Sequence, residues 1–170
     1  MDSTASNPKV LTASEIKTLA AMADRIFPAT DTPGAVEIGA LAYIDLALQG
    51  DYAPLLLLYR QGFRAIDRCA DAKFSARFTD LGEQQKDEIL SEFEAGKVAA
   101  FKKAGEFFEM VRCHVLEGVF CEPKYGGNNN MIGWRLVGFP GQQFGYADAY
   151  INRRVDLEPV AVDDTETEEK

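Results

Sequence analysis

The chain has one histidine, His114, and three cysteines, Cys69, Cys113 and Cys121. Nucleophilic chemistry of the triad type needs a histidine as its base, so it must run through His114. Cys113 adjoins His114, and adjacent residues on a helix do not face each other. Cys121 lies just beyond the same helical stretch. A Cys121–His114 pair beside a glycine-rich loop is the arrangement that would make this chain a free-standing small enzyme or a ligand-binding helical module. The competing reading of His114 is a histidine near a helix C-terminus, where the dipole favours its cationic form. An odd number of cysteines cannot close a disulfide framework. Cys113 and Cys121 are near enough to pair in an oxidising compartment; buried free thiols are the other reading. Metal chemistry is poorly served, because the cysteines lack C-x-x-C spacing and Glu106, Glu109 and Glu117 lack an E-x-x-H partner. The spacings of an iron–sulfur cluster are missing as well. The expectation is no catalytic, metal or cofactor-binding residue in this chain.

The stretch CEPKYGGNNNMIGWRLVGFPG, Cys121 to Gly141, carries the densest chemistry of another kind. YGGNNNMIG matches neither phosphate-loop spacing, G-x-x-x-x-G-K-[ST] or G-x-G-x-x-G, and it follows a helix rather than a strand. Gly126 and Gly127 instead supply positive φ or close backbone approach. Asn128 to Asn130 tolerate left-handed backbone and bond to their own chain. Trp134, Phe139, Phe144 and Tyr146 then follow within a few residues. Aromatics on a rigid loop either fold back on the core or anchor a partner, and Trp134 beside Arg135 suits an interface, where both types are enriched. The candidate partner interface is Tyr125, Gly126, Gly127, Asn128, Trp134, Arg135, Phe139 and Pro140.

The elements that must hold this loop are helical. Thr12 and Glu15 have the spacing of a capping box. Ile16, Leu19, Ala20, Ala23, Ile26 and Phe27 follow at helical period, and Pro28 ends the helix. A second helix is predicted from about Val36 to Leu48, stopping at Gly50. A third, capped by Asp51, carries Leu55, Leu56, Leu58, Tyr59, Phe63 and Ile66 toward Ala70. A fourth runs from about Gly82 to Phe93 with Gly96 as its stop, and the longest from about Val98 to Val119. Nothing before residue 119 alternates with period two. The expectation is an all-α single domain of about five helices with a long Gly- and aromatic-rich C-terminal loop region, and a short helical turn near Tyr146 to Tyr150. Residues 1–11 are predicted to be a flexible N-terminus, 12–150 the helical domain and 151–170 an acidic tail.

With 170 residues, one domain with a real core is expected. The formal net charge of −9 argues against phosphate-backbone recognition, so no nucleic acid is expected as a partner. Much of the acid excess lies in the tail, at Asp156, Glu158, Asp163, Asp164, Glu166, Glu168 and Glu169, which reads as solvated and disordered. No apolar run is long enough to span a membrane. The N-terminal MDSTASNPKV lacks the pattern of a signal peptide.

Three blocks together resemble the gluconate 2-dehydrogenase subunit 3 family. They are Tyr125–Asn128 (YGGN) with Trp134 and Gly138–Gly141 (GFPG), Ile26–Leu48 (IFPATDTPGAVEIGALAYIDLAL), and Phe78–Leu90 (FTDLGEQQKDEIL). The resemblance covers about residues 12 to 150. Glu122-Pro123 stands where the family often has Asp-Pro, and Cys121 where a small polar residue is expected. The resemblance implies the small subunit of an FAD-dependent sugar, glycoside or sugar-acid dehydrogenase. Its partner would be a large flavoprotein of the glucose–methanol–choline type, which holds FAD and performs the oxidation. A cytochrome c would often accept the electrons. The small subunit would support folding, stability and export of the large one. Many members begin with a twin-arginine signal, which this sequence does not show. Periplasmic location is the expectation, with the cytoplasm as the alternative.

Overall fold

The structure, a computed structural model, describes residues 10–142 and 157–162. Among these, seven α-helices and no strand are present: α1 (Ala13–Ile26), α2 (Ala35–Ile38), α3 (Ala40–Ala47), α4 (Leu56–Phe74), α5 (Glu83–Glu94), α6 (Ala104–Phe120) and α7 (Ile132–Val137). The all-α expectation holds. No helix is long and apolar enough to cross a membrane among the described residues.

α1 starts on the capping box. Glu15 N–H donates to Thr12 Oγ1 at 3.2 Å, and Thr12 N–H donates to Glu15 Oε2 at 2.8 Å. Its buried face is Thr18, Leu19, Met22 and Ala23. The chain before it is pinned by buried Asp45, whose Oδ1 accepts from Val10 N–H and Leu11 N–H. Arg25 ties α1 to α5 through Asp87, at 2.7 and 2.9 Å.

The helix predicted over Val36–Leu48 is two helices. Gly39 sits at φ 101, a left-handed conformation that breaks the ladder and lets α3 leave at a new angle. The redirected α3 meets α6 so closely that a Cβ on Gly118 would lie 2.7 Å from Ala40 Cα. Asp51 does not cap the next helix. A 3₁₀ turn over Ala53–Leu55, with Pro54 in its first turn, precedes α4 instead, and α4 continues past Ala70 to Phe74. α5 matches its expected span. α6 begins at Ala104 rather than Val98, because residues after Gly96 (φ 64) form turns, with Phe101 N–H donating to Val98 O and Ala104 N–H to Phe101 O.

α6 is the central element, packed against α1 to α5. Phe107, Val111, His114, Val115, Gly118 and Val119 form its buried stripe. Phe107 is the hub of the aromatic core, with Tyr59, Phe63, Phe93 and Phe101 at ring-centroid distances of 5.9 to 6.3 Å. Such edge-on pairs add about 0.5–1.5 kcal/mol each beyond area burial.

The stretch read as a long loop after Val119 is more ordered in kind than expected. It contains 3₁₀ turns at Pro123–Tyr125 and Asn129–Met131, then α7. Within the segment read as an acidic tail, residues 157–162 run back along this loop with Glu158, Val160 and Val162 exposed. Val160 N–H donates to Pro140 O at 3.0 Å, and Gln142 N–H to Val160 O at 2.9 Å, a parallel bridge between Gly141 and Val160. The turn predicted at Tyr146–Tyr150, together with Phe144, lies outside the described residues.

Candidate functional site

A helix leaves its last four carbonyls without intrahelical partners. At the end of α6 the chain from Cys121 onward supplies partners for three of them. Cys121 N–H donates to Glu117 O at 2.7 Å, and Asn128 N–H donates to Gly118 O at 2.8 Å. Trp134 Nε1–H donates to Phe120 O at 2.7 Å. The next carbonyl, Cys121 O, accepts from Asn128 Nδ2 at 2.8 Å. Asn128 is fully buried, and its Oδ1 accepts from Gly133 N–H at 2.8 Å, which orients the start of α7. The backbone comes so near α6 that only glycine fits twice. A Cβ on Gly127 would lie 2.2 Å from Gly118 O, and one on Gly133 would lie 1.9 Å from Val119 O. The loop also braces the break in the second helix, because Asn129 Nδ2 reaches Glu37 O at 3.5 Å and lies against Gly39. The glycines, Asn128 and Trp134 therefore act as one device, a C-terminal cap for the central helix.

This places the expected interface residues in two groups. Gly127, Asn128 and Trp134 are buried, Trp134 being only 5% exposed. They hold the loop's shape from inside. Tyr125 and Phe139 face outward, 53% and 48% exposed, and Arg135 is exposed, while Gly126 and Pro140 are half-buried. Arg135 donates to Asn130 O and pairs with Glu158 Oε2 at 3.2 Å. Two residues that sequence reasoning passed over join the outward group. Val137 is 61% exposed and Leu46, on α3, is also exposed. Val137 and Phe139, with the half-buried Phe120 and the edge of Trp134, line an apolar groove of about 360 Å³. On the other side of Phe120 opens a cleft of about 690 Å³ lined by α3, Tyr52, Glu117, Cys121 and Tyr125.

The family described as gluconate 2-dehydrogenase subunit 3 has a sequence profile that matches residues 13–141, from the first turn of α1 to the last glycine of GFPG. The chain belongs to that family. Gluconate 2-dehydrogenase subunit 3 proteins are, by that description, subunits of a dehydrogenase complex. No curated protein and no solved structure matched the chain in the corresponding comparisons. All three motif blocks noted in the sequence fall within the matched span, and the structure brings two of them together, Gly126 against Ala42 and Leu46.

In this subunit His114 and Cys121 are not a pair. Seven residues at 1.5 Å of rise separate them by roughly 10 Å along α6. His114 is buried, shares a 2.9 Å hydrogen bond between its Nδ1 and the Tyr59 hydroxyl, and lies flat against Tyr52 at 4.3 Å between ring centroids. Burial holds its pKa below the ordinary histidine value, with the Glu117 charge acting in the opposite sense. Burial likewise pushes the Cys121 thiol up, and the Glu109 hydrogen bond raises Cys113. Both shifts oppose thiolate formation. All three cysteines are free and half-buried. Cys113 and Cys121 lie about 12 Å apart along the helix direction by the same rise per residue, beyond disulfide reach. Among the described residues, no three His, Cys, Asp or Glu side chains converge as a metal site.

The His114 environment makes a pH prediction. The folded state disfavours the charged imidazole, so at pH well above 6.5, the ordinary value, the group costs nothing. As pH falls through that value the unfolded chain takes up the proton first, and stability drops until the lower folded pKa is reached. Thermal midpoints measured from about pH 7.5 to about pH 5 should therefore fall more steeply for the native chain than for His114→Gln. Equal slopes would remove His114 from the acid response.

Proposed function

We propose that this chain is the non-catalytic small subunit of an FAD-dependent dehydrogenase acting on sugars, glycosides or sugar acids. It supports folding, stability and export of a large flavoprotein of the glucose–methanol–choline type. FAD and the substrate pocket belong to that large subunit, a cytochrome c takes the electrons, and the assembled complex works in the periplasm. The observation that carries the reading is the exposed apolar face of Val137 and Phe139, mounted on a loop whose other side is locked to the central helix. Family membership supplies the class of partner. Rigid aromatic and aliphatic side chains around a groove are what a stable partner buries. A subunit that binds only the native flavoprotein stabilises it by mass action, about 2.7 kcal/mol at a hundredfold excess over Kd.

Affinity purification of the tagged chain from its native host tests this. The expected result is a yellow, FAD-bearing large subunit in stoichiometric yield. Repeated purification without any flavoprotein would refute the reading. Val137→Glu with Phe139→Glu is expected to lower that yield at least about tenfold, because like hot-spot residues cost about 2 kcal/mol or more when lost. Val137 is on the surface and Phe139 gives up only its edge-on contact with Trp134, so the isolated variant should lose no more than about 0.5–1.5 kcal/mol of stability. Undiminished capture by the double variant would exclude this face from the contact.

A further inference from the structure

The cleft on the α3 side of Phe120 has a charge pattern that the apolar groove lacks. Its walls are apolar and aromatic: Leu46, Ala47, Phe120 and Tyr125. Among the described residues, the acids lining it are Asp51, Glu117 and Glu122, and no lysine or arginine lines it. Lys124 lies nearby with its Nζ 5.6 Å from the Tyr125 ring centroid. Glu122 is engaged, since its Oε1 accepts from Val162 N–H at 2.7 Å. Glu117 is different. Its Oε2 accepts from both the Tyr43 hydroxyl at 3.1 Å and the Tyr52 hydroxyl at 3.0 Å. Tyr52 is held in turn by its stack on buried His114. These hydrogen bonds span 74 and 65 residues of sequence, and they fix an exposed carboxylate that would otherwise be free to rotate. Its other oxygen, Oε1, has no protein partner among the described residues.

A fixed, half-satisfied carboxylate beside aromatic faces is complementary to a guanidinium, which stacks on rings while donating to carboxylate oxygen. The cleft is much larger than one side chain, and it shares Phe120 as a lining residue with the apolar groove. We propose that this cleft receives an arginine from an otherwise apolar segment of the large subunit, with Glu117 as its anchor and Tyr43 and Tyr52 as positioning residues. The inference rests on the function proposed above and extends that interface from the α7 side to α3.

The test is capture of the flavoprotein from the native host by tagged full-length variants, compared with the native chain. Glu117→Arg should reduce captured flavoprotein by at least about tenfold, and Glu117→Gln by a smaller factor, because it keeps an acceptor for the two tyrosines but loses the charge. Circular dichroism melting of each isolated variant accompanies the capture: Glu117→Arg gives up both tyrosine hydrogen bonds and should melt below the native chain, Glu117→Gln should melt nearer to it, and restoration by a charge swap separates the anchor from this loss of stability. Arginines of the captured flavoprotein are then changed singly to glutamate and paired with Glu117→Arg; one such swap should restore capture. If the native chain captures flavoprotein and Glu117→Arg captures as much, the arginine anchor is overturned while the small-subunit reading stands. Loss of capture that no charge swap restores also overturns it. If the native chain captures none, the reading itself fails and the anchor with it.

Discussion

Trp134→Ala is expected to lower the unfolding free energy by about 3–5 kcal/mol, the range for truncating a large buried aromatic. The indole is buried beside Phe120 and stands edge-on to Phe139, with centroids 5.0 Å apart and planes at 81°. Its removal opens a cavity under the apolar groove. It also strips Phe120 O of its Nε1–H donor, leaving a helix-terminal carbonyl to find water. Denaturant unfolding followed by far-ultraviolet circular dichroism measures the loss; tryptophan fluorescence cannot, because this is the chain's single tryptophan. A loss under about 1 kcal/mol would mean the ring is peripheral to the fold. Capture of the large subunit should fall too, but for a different reason than in the Val137/Phe139 variant. There the platform stays intact and its contacts are gone; here the contacts remain in the sequence and their platform is loosened. Stability and capture measured together separate the two.

Asn128→Ala is expected to cost about 2–6 kcal/mol, from orphaning one buried and one part-buried backbone group at about 1–3 kcal/mol each. Gly133 N–H loses its acceptor and Cys121 O its donor. Alanine must also adopt φ 46, a left-handed conformation that asparagine tolerates better. Asn128→Gly removes the backbone strain but neither loss of hydrogen bonding, so it should be the milder variant. Asn128→Asp keeps the acceptor for Gly133 yet sets a carboxylate against Cys121 O, and it should be at least as damaging as alanine. Equilibrium unfolding orders the three. Hydrogen exchange at Gly133 and along α7 should rise in each. If alanine proves no worse than glycine, the left-handed backbone contributes nothing and the side-chain bonds carry the whole effect.

Much of the fold was legible because its signals are local. The Thr12–Glu15 box, Pro28, Gly82 and Gly96 mark helix ends through groups only a few residues apart. The stripe on α6 repeats at helical period whatever packs on it. Misreadings arose where distant packing overruled a local pattern. Val36–Leu48 looks continuous because a lone glycine is tolerated within a helix; Gly39 breaks it where the chain must bend to bring Ala40 onto Gly118. Residues 132–137 look like loop because α7 is short and is entered through left-handed Asn128, Asn130 and Met131. The backbone pairing of Val160 with Pro140 and Gln142 left no mark in the composition of the tail, because charge says nothing of backbone hydrogen bonds.

The candidate site divides along the same line. Tyr125, Arg135 and Phe139 were found from type and spacing, and they are exposed. Trp134 and Asn128 were found for the same reason and are buried, because aromatics in a glycine-rich loop have the same signature whether they grip a partner or cap a helix. Tyr43 and Tyr52 carried no signal, and nothing tied Glu117 to them, since the hydrogen bonds joining them cross 74 and 65 residues of sequence. The sequence by itself determined the helical class, most helix ends, the family and the loop worth looking at. These depend on residue types and on spacings of a few positions. Only the tertiary structure decided which face of that loop is inside and which carboxylate is held still. Those depend on where α3 and α7 land on α6, and that placement is set by close backbone contact, which leaves no periodic trace in the order of the amino acids.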